Sequence, residues 1–456
     1  MAKKKGKRTY HRPPAQKNAI QRPVRLSQCM IVKNEEKNIE KALTWAKDIA
    51  FEQIVVDTGS TDRTVEIAES MGAKIYHFEW INDFSAAKNY AIEQAKGDWI
   101  AFLDADEYFP DEDAKKLMIL LRNVEKDPQL RKLKTAIRCP IVNVDDDGKP
   151  FLVVRQDRIF RNTTEIRYSG KIHETIMVED TLLQAPEISI IHTGYKASVY
   201  AETGKATRNI DMLREELSRD PENADLSCYL ADALHARDEG NDMAEAITLY
   251  TAAINSGLPM LKEIKQNAYN NLIVNIYNDA EKNNESYMLC RKAYEEFPEN
   301  PDFCFYYGSK LYAKEDFNLS WEKLLECERL LDSKDAIEIA KYVISNPMML
   351  FFQMTLTAEE LGKMDEIIRY ATLVLKEDKY QHMMIAPYIA AFNRPGFMTP
   401  ASEIFALLSQ LYDFNNTKDK LTVMQAAKNA GNVELVQIIL NTLTHEELSW
   451  LTESQG

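Results

Sequence analysis

From Leu26 onward, short apolar runs alternate with amphipathic stretches, the pattern of a parallel sheet covered by helices. The apolar runs predict strands over Ser27–Val32, Gln53–Val56, Lys74–His77 and Trp99–Leu103. Helices are expected between them, near Ile39–Ala46, Thr64–Met71 and Ala86–Ala95, the last leading through Gly97 into the fourth strand. An open sheet of this kind takes ligands in the crevice at the carboxyl ends of its strands. The residues at those ends are unusually polar: Lys33-Asn34-Glu35-Glu36 after the first strand, Asp57-Thr58-Gly59-Ser60-Thr61-Asp62 after the second, and Asp104-Ala105-Asp106-Glu107 after the fourth.

The chain has 456 residues, more than one hydrophobic core usually organises, so two or more domains are expected. Near residue 200 the pattern changes. Beyond Ala206 the strand-like runs give way to pairs of amphipathic helices, and the turn signals Asp220-Pro221-Glu222-Asn223 and Phe297-Pro298-Glu299-Asn300 recur 77 residues apart. That gap suits two helix-pair repeats of about 34 to 40 residues each. Leu226–Leu234 with Ala244–Ala253 make one helical hairpin, and Tyr287–Phe297 with Phe303–Tyr312 flank the next boundary. The pattern resembles degenerate tetratricopeptide repeats, which stack into a curved solenoid whose concave face often takes an extended peptide. The same faces also suit a dimer interface or a wall beside a catalytic site.

A net charge of −15 argues against a general nucleic-acid binder, which needs a basic face to neutralise phosphates. The charge is uneven. Residues 1–25 hold nine Lys or Arg and no acid, leaving about −24 on the remainder by subtraction. This basic arm is expected to be disordered, serving as a solubilising tail or as a polybasic contact for anionic lipid or RNA. No apolar run approaches the ~20 residues of a membrane span, and no apolar core follows the basic segment as it would in a secretory signal. A cytoplasmic location is the expectation. The six cysteines, Cys29, Cys139, Cys228, Cys290, Cys304 and Cys327, form no CxxC pair and sit mostly in apolar context, so buried reduced thiols are expected.

Two carboxylates one residue apart at a strand terminus, Asp104 and Asp106, can reach a divalent ion, since hard cations choose such oxygens. Alone, this spacing also fits an acidic cluster ahead of a helix near Pro110. Its context is more specific. The segments Met30 to Glu36, Val56 to Asp62, Asp83 to Asn89 and Gly97 to Glu107 together resemble family 2 glycosyltransferases of the GT-A fold, and the likeness extends through Tyr195. It implies an α/β catalytic domain, Rossmann-like with a mostly parallel sheet, that uses a nucleotide-diphosphate-sugar donor with Mg2+ or Mn2+. Carried over by position, Asp57 would accept the uracil imide N–H, favouring a UDP donor, with Val32, Lys33, Asn34 and Glu35 flanking base and ribose. Lys88 stands where the family usually has an Arg toward the diphosphate, a point charge without bidentate geometry. Asp104 would bond the ribose beside Ala105, and Asp106 would bind the metal that bridges the phosphates. The structural alternative for Asp57 is a cap on the turn through Gly59.

A second cluster, Arg155 to Arg161 followed by Tyr168-Ser169-Gly170-Lys171-Ile172-His173-Glu174, is where acceptor chemistry is expected. An inverting transfer needs a base for the acceptor proton as the anomeric centre becomes oxocarbenium-like; Glu174 is the first candidate and His173 the alternative. A His-Glu pair also occurs for purely structural reasons. His192 ends the apolar run Ile188–Ile191, and in similar enzymes a His here completes the metal site, where mixed ligation would also admit Mn2+; otherwise it is a buried His bonded to backbone.

The segments Gly170 to Glu174, His192 to Tyr195, Lys205 to Ile210 and Asp220 to Asn223, running into helical repeats, are similar to the sublancin-type peptide glycosyltransferases, which place sugar on a Cys or Ser side chain. The resulting reading is a GT-A domain at 26–204, an all-α repeat domain at 205–456, and metal-dependent inverting transfer of a hexose from a UDP-sugar to a Cys or Ser/Thr side chain of a peptide or protein. Two alternatives remain open: transfer to a lipid-linked or cell-envelope saccharide, and a non-catalytic repeat scaffold carrying a vestigial transferase domain.

Overall fold

A computed structural model describes residues 23–178, 180, 182–194, 205–276, 279, 281–333, 340–394 and 397–448. Most of the basic arm, residues 1–22, and the segment 195–204, which includes Tyr195, lie outside them. The chain divides into two compact units near residue 201, with 151–153 grouped with the second.

In the first unit, β1 (Leu26–Val32), α1 (Ile39–Thr44), β2 (Glu52–Asp57), α2 (Thr64–Ser70), β3 (Lys74–His77), α3 (Phe84–Gln94) and β4 (Trp99–Phe102) follow the expected alternation within one or two residues at each end. After β5 (Glu107–Tyr108) and α4 (Asp111–Lys126) come β6 (Ala136–Val144), β7 (Pro150–Arg161), and the short strands β8 (Tyr168–Ser169), β9 (Thr175–Ile176), β10 (Leu183–Gln184) and β11 (Ile190–His192). The main sheet runs β3-β2-β1-β4-β7-β6-β11-β5, with β10 on β6. β1 pairs in parallel with β2 on one side and β4 on the other, so strand order reverses between β1 and β4. A crevice opens at the carboxyl ends of strands at such a reversal. Beyond β4 the sheet is mixed: β7 runs antiparallel to β4 and β5 antiparallel to β11, while β11 is parallel to β6.

Trp99, Ile100, Ala101 and Phe102 are all fully buried, because helices or loops cover both faces of β4. That is why the strand reads as an unbroken apolar run and not as an alternating one. Trp99 and Ala101 pack with Leu117 and Leu121 of α4, while Ile100 and Phe102 pack with Ala91 and Ile92 of α3. At Gly97 an added Cβ would lie 2.7 Å from the Ser27 backbone nitrogen, a close approach that requires glycine. The six cysteines are free and buried.

The second unit is helical: α5 (Lys205–Arg219), α6 (Ala224–Arg237), α7 (Asp242–Asn255), α8 (Lys262–Ile276), α9 (Asn283–Glu296), α10 (Pro301–Ala313), α11 (Phe317–Leu331), α12 (Pro347–Glu360), α13 (Met364–Glu377), α14 (His382–Ala390), α15 (Ala401–Leu408), α16 (Thr417–Asn429) and α17 (Val433–Leu440). The recurrent turn signals now have a physical meaning. Asn223 and Asn300 are N-caps, their side chains accepting from Leu226 N and Asp302 N, so each begins a helix hairpin and two helix pairs separate them. A two-stranded ribbon, Asn393–Arg394 with Phe397–Met398, lies between α14 and α15.

Candidate active site

Helix α3 sets the site. Its N-cap Asp83 accepts from Ala86 N, and one helix face is stitched to β8 and the turn after it. Phe84 N donates to Lys171 O at 2.9 Å, Ser85 Oγ to Gly170 O at 2.5 Å, and Asn89 exchanges two bonds with the Tyr168 backbone, both 2.9 Å. Positions 85, 88 and 89 share that face, so the stitching carries Lys88 to Glu174. The Lys88 ammonium lies 2.6 Å from Glu174 Oε1 and 3.5 Å from Asp104 Oδ1, and near the faces of the Phe102 and Tyr168 rings. Its side chain is only 4% exposed.

Arg158, on β7, closes the other side. Its Nη2 lies 2.8 Å from Asp104 Oδ2 and 2.6 Å from Glu107 Oε1, and Glu107 Oε2 in turn accepts from Asp104 N. Burial works against ionisation of Asp104, but Arg158 and Lys88 outweigh it and hold the carboxyl well below the usual range. Burial lowers the proton affinity of Lys88, yet Asp104 and Glu174 more than restore it, keeping the ammonium charged. Glu107 is pushed up by burial, with Arg158 opposing and Asp104 and Asp106 adding to the rise.

Asp106 lies on the far side of the same loop. Its Oδ2 is 3.5 Å from His192 Nε2. Thr193 clamps the Asp106 carbonyl through both N–H and hydroxyl. His192 Nδ1 is 2.7 Å from Asn143 Oδ1, its register partner on β6. An amide oxygen only accepts, so Nδ1 carries the hydrogen and, in the neutral ring, the Nε2 lone pair faces Asp106. Burial disfavours the imidazolium, but Asp106, Glu107 and Asp104 hold its pKa above the ordinary value.

Among the described residues no group of three or more His, Cys, Asp or Glu is arranged as a metal site. Asp106 and His192 form a pair, one carboxylate oxygen and one imidazole nitrogen spaced as two ligands of one ion can be, given bonds of about 2.1 Å. Two protein ligands suit an ion that takes its remaining oxygens from water and substrate phosphates. Charge agrees. Lys88 and Arg158 face the carboxylates of Asp104, Glu107 and Glu174, and Asp106 faces His192, so two permanent cations stand among four potential anions. Gly194 keeps the space between the pair open: a Cβ there would overlap Asp106 Oδ2 and lie 2.6 Å from His192 Nε2. Gly194→Ala is therefore expected to weaken Mn2+ binding about 10- to 100-fold, read from Mn2+ titrations followed by calorimetry.

The first two loops form a separate group. Val32 ends β1 buried and Lys33 is exposed. Asn34 adopts a left-handed φ of 56° and accepts from Thr61 N, while Ser60 Oγ and Thr64 Oγ1 accept from Asn34 N and Glu35 N. Asp57 does cap its turn, accepting from Gly59 N and Ser60 N, and lies 3.5 Å from His77 Nδ1. Two backbone donors do not saturate a carboxylate, which has about four acceptor sites. Ala105 is buried between the two aspartates, and His173 turns the chain at φ 53° ahead of Glu174.

Residues 27–127, which hold β1 to α4, match the family model described as glycosyl transferase family 2. This segment is a family 2 glycosyltransferase domain. A TPR repeat-containing protein of Synechococcus elongatus is 36% identical over 221 residues, covering 46% of this chain and 52% of its own. The SPbeta prophage-derived glycosyltransferase SunS of Bacillus subtilis is 32% identical over 232 residues, covering 50% of this chain and 52% of its own. The chain thus spans about half the length of these curated relatives. A crystal structure of S. aureus TarS 1-349 aligns at 17% identity over 60% of this chain and 92% of that one, with a TM-score of 0.33. Within the transferase domain, Arg158 lies in the segment expected for acceptor chemistry and Glu107 in the polar loop after the fourth strand, but neither was assigned a role of its own, and Asn143 was not singled out. Arg158 could have been suspected from its two-residue spacing to Phe160, which puts both on one face of β7.

Proposed function

We propose that the chain is a metal-dependent inverting glycosyltransferase that moves a hexose from a UDP-sugar to a Cys or Ser/Thr side chain of a peptide or protein acceptor, acting in the cytoplasm. Residues 26–204 are taken as the catalytic domain and 205–456 as a repeat domain that engages the acceptor or a second copy. The observation that carries the reading is the buried charge network at the end of β4, where Lys88, Asp104, Arg158 and Glu174 meet beside the Asp106–His192 pair.

In this reading Asp57 and the loop Val32–Glu35 receive the uracil and ribose, and Asp104 orients the ribose while Arg158 fixes its carboxylate. Lys88 has its ammonium held charged and aimed at the region where the diphosphate would lie. Asp106 and His192 would hold Mg2+ or Mn2+, which when bound offsets the charge developing on the departing UDP. Glu174 takes the proton from the acceptor hydroxyl or thiol as the acceptor oxygen or sulfur bonds to the anomeric carbon. The bond from that carbon to the UDP oxygen breaks with its electron pair going to UDP.

The test is UDP release across a panel of UDP- and GDP-sugars with Mn2+ or Mg2+. Slow release that needs the metal, prefers one UDP-sugar and is lost in Asp106→Asn is the expected result. Release independent of metal and of Asp106 would sink the assignment, and absence of any thermal shift with UDP-sugar and Mn2+ would favour the non-catalytic scaffold.

A further inference from the structure

A cavity of about 580 Å³ lies at the opposite end of the sheet from Asp104, where Val24 leads into β1, Asp98 precedes β4 and Arg161 ends β7. Its wall is completed by Arg122 and Lys126 of α4 and by Arg131 in the 3-10 turn that follows. We infer that this cavity is a second, anion-binding site, shaped for a phosphate group and distinct from the donor site.

The carboxylates in the lining are already engaged. Asp98 accepts from Arg25 N at 3.1 Å and pairs with the Arg25 guanidinium at 3.5 Å. Glu125 accepts from Arg161 Nη1 at 2.7 Å and Trp99 Nε1 at 2.9 Å. Arg161 in turn lies over the Trp99 ring, and its buried Nε has no acceptor among the described residues. Arg122, Lys126 and Arg131 are exposed and make no ion pair with any described residue. Arg122 and Lys126 are one turn apart on α4 and so share a face. Lys126 also offsets the negative end of that helix, but Arg122 and Arg131 lie outside the last turn.

Uncompensated guanidinium groups around a concavity, in a chain whose net charge is −15, call for an anion with several oxygens. The volume suits a small phosphorylated molecule. Pro23 and Val24 complete the rim. A donor diphosphate at Asp104 cannot serve both places, since a strand and its flanking residues, roughly 20 Å, separate the two ends.

The probe is inorganic pyrophosphate, titrated into the full chain by calorimetry with divalent metals chelated, a condition in which the four acidic side chains of the donor site disfavour it. Binding is expected in the unaltered protein and in Asp106→Asn, declining as salt is raised. Arg122→Glu combined with Arg131→Glu should weaken it about tenfold or more. Both side chains are exposed, so an unchanged melting temperature and retained UDP binding with Mn2+ show that the double variant is folded. Sedimentation with phosphatidic acid vesicles, compared with neutral ones, would identify a lipid headgroup as the source of the phosphate; pyrophosphate binding without vesicle binding would identify a soluble compound. No pyrophosphate binding, binding indifferent to the double variant, or binding lost in Asp106→Asn would each overturn the assignment.

Discussion

Glu174→Gln is expected to lower sugar transfer by about 10²- to 10⁴-fold, the range that a positioned general base contributes. The amide keeps an oxygen able to accept from Lys88 Nζ, now 2.6 Å from Glu174 Oε1, so the position of the side chain should survive while its basicity is lost. Steady-state rates with a peptide acceptor should therefore fall without a matching change in UDP affinity or melting temperature. A normal rate in Glu174→Gln, with the loss appearing in His173→Gln instead, would move the base to the neighbouring imidazole.

Lys88→Met should be the most damaging change for stability in the transferase domain. The ammonium is nearly inaccessible, and its removal leaves Glu174 without that cation and Asp104 with Arg158. Breaking a buried pair from one side costs about 3 to 5 kcal/mol. The lower figure applies here because Asp104 keeps Arg158 and is 39% exposed. For a unit of this size about 3 kcal/mol corresponds to a fall in melting temperature of roughly 6 to 12 °C. Nucleotide affinity should fall as well if the proposed donor site holds, since the variant lacks the cation assigned there to the diphosphate. Adding Glu174→Gln to Lys88→Met should recover part of the stability by discharging the orphaned carboxylate, and the shortfall from additivity measures the pair. A Lys88→Met melting temperature equal to that of the unaltered protein would show that desolvation already cancels the pair.

The segment Asp83 to Asn89 illustrates what was readable and what was not. As a string it marked a family likeness and a helix start. Its physical content, an N-cap followed by Phe84, Ser85 and Asn89 fastening one helix face to residues 168–171, involves bonds that span 79 to 87 positions. Nothing local in the string announces those partners. Asp57 shows the opposite case: its turn-capping bonds are to residues two and three positions on, and the Gly59 turn made them readable.

The sequence by itself determined the strand–helix alternation, the change to helix hairpins beyond residue 200, and the recurrent turns that end in Asn223 and Asn300. Each depends on periodicity or turn chemistry within a few residues. Only the tertiary structure decided which charges meet. Antiparallel pairing of β7 with β4, Ala101 opposite Ile159, lays Arg158 against Asp104 and Glu107 more than 50 residues earlier. The β11–β6 and β11–β5 registers bring His192 to both Asn143 and the Asp106 loop. Strand register is set by the packing of whole faces, so the partner of a buried charge is a property of the assembled sheet and not of its neighbours in the chain.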